Sequence, residues 1–331
     1  MPFRLWGTAA VFCLLLAGSA AAQAINQDVD RCKSNDPDAR IAGCTALIQS
    51  SQDILNLDVV FYNRGNGYLA KGEYDTAIQD FNQSIQLNPN SADTFINRGI
   101  AYKNTGQFDR AITDYDQAIR LQPDSAIAYT NRGLAYEKKQ QYDRALQDYD
   151  KAINLDPRAA IAYDNRGNTY DEKGDHDRAI QDYNRALELS PSFDAAYYDR
   201  GIAYESKQQF ERAIADFDQA ITLNPRYAVA YYRRAGVYAG LKQLERAIAD
   251  YSRAIMLDPS NSDAFYNRGQ AYGNSGRFKL AADDFDHVYG LDPKDAQALY
   301  LRGYSKKQAG DVAGGDADMA QARLLDPNAG K

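Results

Sequence analysis

From Asp58 onward, hydrophobic and polar positions recur every 34 residues. Repeats beginning at Asp58, Ala92, Ala126, Ala160, Asp194, Ala228, Ser262 and Ala296 fill 58–329 without an insertion. Position 8 is Gly65, Gly99, Gly133, Gly167, Gly201, Ala235, Gly269 and Gly303. Position 32 is proline throughout, from Pro89 to Pro327. Position 20 is alanine from Ala77 to Ala281 and Gly315 in the last repeat. Position 24 is aromatic in seven repeats: Phe81, Tyr115, Tyr149, Tyr183, Phe217, Tyr251 and Phe285.

This pattern predicts two helices per repeat. Positions 4, 8 and 11 (Tyr129, Gly133 and Tyr136, for example) fall on one stripe of a first helix. Positions 20, 24, 27 and 28 (Ala145, Tyr149, Ala152 and Ile153) fall on one stripe of a second. Gly at 8 and Ala at 20 let the two helices approach closely, and the aromatic fills the volume beside them. The proline ends the second helix and turns the chain. No alternating strand pattern interrupts the series, so the fold class is all-α.

These features resemble the tetratricopeptide repeat (TPR) family, whose 34-residue helix–turn–helix unit has this spacing. The resemblance covers 58–329. It implies an α-solenoid, a right-handed superhelix whose first helices line a concave groove that binds peptides or protein segments.

The ends depart from the pattern. Residues 25–57 read as a divergent N-terminal hairpin cap, with Ile41, Cys44 and Ile48 standing where Ile, an aromatic and Ile sit in the second helices. Cys32 then falls near the end of the first helix. In the last repeat, Asp316 and Arg323 replace the aliphatics of positions 21 and 28, which solvates an exposed end as a terminal repeat requires. Met319, Ala322 and Leu325 are expected to hold that hairpin together.

Residues 1–24 have the three-part layout of a cleaved signal peptide: Arg4, an apolar run from Ala9 to Ala17, and Ala-x-Ala at Ala20–Ala22 and Ala22–Ala24. The apolar run is short for a membrane span, so no integral span is expected in the mature chain. Cleavage removes Cys13 and leaves Cys32 and Cys44. An even count in an exported protein points to a disulfide. The alternative, a metal or redox pair, lacks C-x-x-C spacing and a nearby His.

Candidate binding residues lie on the first helices. Positions 2, 5, 6, 9, 12 and 13 share a face away from the 4-8-11 stripe, and in the resembled family that face looks into the groove. Position 6 supplies Asn63, Asn97, Asn131, Asn165 and Asn267, with Asp199, Arg233 and Leu301 in the other repeats. A carboxamide donates to and accepts from a peptide backbone without reading its sequence. The row is similar to the asparagine ladder in the superhelix of O-linked N-acetylglucosamine transferases. Position 5 adds Tyr62, Tyr198, Tyr232, Tyr266 and Tyr300, each offering contact area with a polar tip. The sequence equally allows the asparagines to brace neighbouring turns and the tyrosines to pack on the adjacent repeat. Arg at position 7 and Asp at position 23 occur in all eight repeats, which predicts an Arg–Asp brace between helices. Positions 2 and 5 hold no Lys, so the carboxylate clamp of the chaperone-binding members does not carry over.

Composition narrows the function. Hydrophobic residues are 44%, charged residues 25% and the net charge −7, with no basic block of the kind nucleic-acid binding needs. Two histidines leave little material for a metal or His-based catalytic site. GNGYLA at 65–70 fits a dinucleotide fingerprint formally but lies within a repeat helix. No catalytic residue, metal or cofactor is assigned. The expectation is a non-enzymatic scaffold, exported to the periplasm of a bacterial envelope or secreted, holding a partner protein or extended peptide in the groove. The alternative is an accessory subunit of an envelope assembly or polysaccharide-export complex, docking through its convex face.

Overall fold

The computed structural model describes residues 23–50 and 56–330. Most of the signal segment expected at 1–24 lies outside the described residues. Among the described residues every regular element is an α-helix. The chain divides at Ala162 into two compact units.

The N-terminal unit opens with α1 (23–32) and α2 (Pro37–Gln49). It continues through α3 (Leu57–Ala70), α4 (Tyr74–Leu87), α5 (Ala92–Asn104), α6 (Phe108–Leu121), α7 (Ala126–Lys138) and α8 (Tyr142–Leu155). Helix α9 (Ala160–Glu172) spans the division. The C-terminal unit holds α10 (His176–Leu189), α11 (Asp194–Ser206), α12 (Phe210–Leu223), α13 (Ala228–Gly240) and α14 (Leu244–Leu257). It ends with α15 (Ser262–Asn274), α16 (Phe278–Leu291), α17 (Ala296–Gln308) and α18 (Val312–Leu325).

Each repeat is a helical hairpin held by one close approach. A β-carbon on Gly133 would stand 2.8 Å from the ring of Tyr149, and one on Gly99 would stand 2.6 Å from that of Tyr115. These rings are fully buried. The Gly notch therefore receives the position-24 aromatic, as the pattern predicted. The turn between the helices uses position 15 in the left-handed region throughout. It is Gly at 72, 106, 174, 276 and 310, but Gln140, Gln208 and Lys242 in three repeats, at φ of 57° to 59°. Helix starts are capped where the sequence allows. Ser91, Ser125, Asn261 and Asp295 accept from the backbone three residues on.

Within each unit, consecutive first helices touch: α3 with α5 and α5 with α7, then α11 with α13 and α13 with α15. Consecutive second helices make no comparable contact, so within each unit the first helices form the inner layer and the second helices the outer one.

The N-terminal hairpin is closed by a Cys32–Cys44 disulfide. Cys44 is fully buried and packs with Leu47, Val60 and Cys32. At the other end one expectation fails. Ala322 is buried, but Leu325 is half-exposed, and the chain beyond it turns so that Ala329 packs against Ala296, Leu299 and Tyr300. The terminal turn, rather than Leu325, completes the core there.

Candidate functional site on the inner helical face

In all eight repeats the position-7 arginine donates through Nε and Nη2 to both carboxylate oxygens of the position-23 aspartate, at 2.6–2.9 Å. This is the expected brace. For Arg64, Arg98, Arg132, Arg200, Arg234, Arg268 and Arg302 the remaining Nη1 reaches back to the preceding hairpin, which the sequence reading missed. Arg64 donates to Thr45, Arg98 to Asn82, Arg200 to Asn184 and Arg268 to Ser252, at 2.6–3.2 Å. Arg132 pairs with Asp116 at 2.6 Å, and Arg234 and Arg302 pair with Asp218 and Asp286. One guanidinium thus ties two helices of its own repeat and the second helix of the one before.

Aromatic rings at positions 4 and 11 flank the guanidinium. Arg132 lies 5.4 Å from the Tyr129 centroid and 6.0 Å from that of Tyr136, a cation–π arrangement. Burial pushes the Asp114 and Asp148 carboxyls up, against the opposing pull of Arg98 and Arg132.

On the inner face, the expected ladder divides into two kinds of rung. Asn97 donates to the Tyr62 hydroxyl at 3.2 Å and to Asn66 Oδ1 at 2.7 Å. Asn267 donates to the Tyr232 hydroxyl at 3.0 Å. Both asparagines are tied to the position-5 tyrosine of the preceding repeat. Asn131 instead bonds its own helix, donating to Ile127 O at 3.0 Å. Asn131 and Asn165 follow repeats whose position 5 is Ile96 and Thr130, which give no phenol to reach.

The open rungs carry exposed aliphatics one turn before them. Val59, Ile127, Ile161 and Val229 at position 2 are 46%, 64%, 61% and 43% exposed. The next residues on that face are Asn63, Asn131, Asn165 and Arg233. The tied rungs have Asp93 and Asp263 at position 2.

The position-5 tyrosines serve the core as well as the face. Tyr62, Tyr198, Tyr232 and Tyr266 rest on Phe81, Phe217, Tyr251 and Phe285 of their own hairpins, with centroids 5.6–6.2 Å apart. Tyr300 is covered by the terminal turn and by Arg323, whose guanidinium lies 5.4 Å from its centroid. Around Arg233 the face is more polar. Burial raises the Tyr198 phenol, while a hydrogen bond with Arg233 opposes the shift. Burial also raises the Glu205 carboxyl, again against Arg233. Tyr251 is pushed up to about 12 by burial, Tyr232 and Glu205.

Among the described residues no group of three or more His, Cys, Asp or Glu side chains is placed to hold a metal ion. No described helix is long and apolar enough to cross a membrane. His176 contacts Asp171 at 2.6 Å, and His287 stacks on Phe265. Both are parts of the helix packing.

Stacked, braced hairpins with a polar and aliphatic inner face define a helical-repeat protein. The chain belongs to the tetratricopeptide repeat family. Tetratricopeptide-repeat profiles match residues 96–164, 148–181, 195–227 and 262–295, and TPR-repeat profiles match 65–106, 167–208 and 237–276. Proteins of this family generally mediate protein–protein interactions. No curated protein sequence matches the chain.

Several solved structures are similar. MamA is 30% identical over 50% of this chain and 96% of its own, with a TM-score of 0.44. The C-terminal part of a TPR repeat-containing protein from Cytophaga hutchinsonii is 20% identical, covering 72% and 98%, with a TM-score of 0.55. PilF of Pseudomonas aeruginosa is 18% identical, covering 62% and 94%, with a TM-score of 0.54. The last two show the fold.

Proposed function

We propose that the protein is a non-enzymatic scaffold, exported to the bacterial envelope, which holds an extended segment of a partner protein against the inner face. The observation that carries this reading is the recurring pair at positions 2 and 6. Ile127 with Asn131, and Ile161 with Asn165, set an exposed aliphatic beside a carboxamide at 34-residue spacing. The aliphatic offers area to an apolar side chain, and the carboxamide offers hydrogen bonds to a backbone. Export is supported by the signal-like layout of residues 1–24 and by the disulfide, which suits an oxidising compartment.

The convex face supports a second reading, because Leu87, Leu223 and Leu291 are 51%, 40% and 51% exposed at the ends of second helices. Site-specific photocrosslinking in envelope extract separates the two. A benzophenone at Ile127 or Ile161 is expected to trap a discrete partner, while one at Leu87 or Leu223 is not. Crosslinks confined to the leucine positions would refute inner-face binding.

A further inference from the structure

Position 12 of the first helix carries a side chain in every repeat but the seventh. In the third repeat Glu137 accepts there from the Tyr149 hydroxyl of the same hairpin, at 3.1 Å. In the seventh the residue is Gly273, and a β-carbon on it would meet nothing within 4 Å. Two further departures fall at the same place. The position-24 ring is Phe285, which has no hydroxyl, and position 6 of the next repeat is Leu301 in place of an asparagine.

Together they leave a cavity of about 420 Å³ between α15 and α17, within the C-terminal unit. The rings of Phe278, Phe285 and Tyr304 wall it, with Leu301 beside them. Phe285 is buried and Tyr304 half-exposed, so the cavity runs from a rim at Tyr304 to a floor at Phe285. Ser305 also lines it. Only 3% of Ser305 is exposed, and its hydroxyl has no hydrogen-bond partner among the described residues. That oxygen is not sealed off, so a group entering the cavity reaches it.

Rings around an unpaired hydroxyl specify the occupant. Aromatic pairs gain more than the area they bury. A serine hydroxyl both donates and accepts, and a phenol does the same. A benzyl or aliphatic side chain in the cavity would leave the serine unpaired, at a cost. We propose that this cavity receives a tyrosine side chain of the segment held on the inner face. The proposal rests on the scaffold reading above and gives its ligand a chemistry.

The test titrates the full chain into N-acetyl-tyrosinamide, N-acetyl-phenylalaninamide and N-acetyl-leucinamide, with binding read on the probes by NMR. The tyrosine probe is expected to bind about fivefold more tightly than the phenylalanine probe, the ratio that one net hydrogen bond gives. The leucine probe should bind more weakly than either. Gly273→Leu puts into the cavity the residue that the first repeat has at this position, Leu69. It should abolish binding of every probe without lowering the melting temperature, because Leu favours the helix over Gly and meets open space. Ser305→Ala should bring the tyrosine and phenylalanine probes to about equal affinity and leave the phenylalanine probe unchanged. Equal binding of these two probes by the native chain, binding of none, or binding that survives Gly273→Leu would each overturn the proposal. Crosslinks at Ile127 and Ile161 judge the scaffold reading separately. Their presence without probe binding would remove the tyrosine cavity alone, and the absence of both would remove both.

Discussion

A β-carbon on Gly43, in the N-terminal hairpin, would stand 2.6 Å from the backbone nitrogen of Cys32. One on Gly315, in the last hairpin, would stand 2.5 Å from the carbonyl oxygen of Gly303. At these two ends the helices meet backbone to backbone, where the other hairpins set glycine, or Ala235 in the sixth repeat, against a ring. Such an approach leaves no room for a position-24 aromatic, and the chain has Cys44 and Met319 there instead. Each end then replaces the lost ring packing differently. The N-terminal hairpin has Gly43 where the brace aspartate would be, and a disulfide joins its helices. The C-terminal hairpin keeps the Arg302–Asp318 brace and adds Lys306, which donates to Asp318 at 2.8 Å. Those donors outweigh burial and hold the Asp318 carboxyl below its ordinary range. Short separation thus excludes the ring, and each end makes up for it with an added tie: a disulfide at one, a second cation on the brace at the other.

The largest expected effect comes from breaking a brace in an interior repeat. Asp148→Ala leaves the Arg132 fork facing a buried void, with only Asp116 as a remaining partner. Loss of one member of a buried pair costs about 3–5 kcal/mol. Urea unfolding should show a loss of that size. A loss below about 1 kcal/mol would mean that the brace is ornamental and the ring packing suffices.

Next is the staple. Replacing Cys32 and Cys44 together with Ser opens a loop of about 13 residues, worth roughly 3 kcal/mol in the chain-entropy model. The loss should be local. Hydrogen exchange should quicken in α1 and α2 while the braced hairpins α5–α8 keep their protection. Uniform loss of protection would show that the cap and the repeats unfold as one.

A smaller gain is expected at the turns. Gln140 holds a left-handed φ of 57° where five repeats have Gly. That conformation costs a residue with a β-carbon about 1 kcal/mol. Gln140→Gly should therefore stabilise the chain by up to about that amount, measured by the shift in denaturant midpoint.

The sequence makes the hairpins plain because their rules concern residue identity: Gly against a ring, Arg against Asp, Pro at the stop. What it conceals depends on pairings between repeats. The acceptors of the third arginine donor are Thr45, Asn82, Asp116, Asn184, Asp218, Ser252 and Asp286. They share only the capacity to accept, so no column of identical letters reveals them. The left-handed turn is hidden where Gln or Lys occupies it. The division of the asparagine row is hidden because it turns on a residue 35 positions earlier. Tyr300 reads like the other position-5 tyrosines, yet the chain's own terminal turn covers it.

The two kinds of rung give the finest discrimination. Asn97 spends its N–H groups on Tyr62 and Asn66, linking consecutive first helices. Asn131 spends one on its own turn, at Ile127 O. Asn97→Ala removes two inter-repeat or near-neighbour hydrogen bonds, each worth about 1 kcal/mol net. Asn131→Ala removes a local bond on a half-exposed turn and gains helix propensity, so its net effect on stability should lie within about 0.5 kcal/mol. Partner retention should run the other way. Asn131→Ala, combined with Asn165→Ala, should release a bound segment at unchanged melting temperature. Asn97→Ala should lower the melting temperature and release the segment only as far as the inner face loosens. If the two substitutions instead proved equal in both readouts, the distinction between tied and open rungs would have no energetic content. The aliphatic row of Ile127 and Ile161 would then have to carry the binding alone.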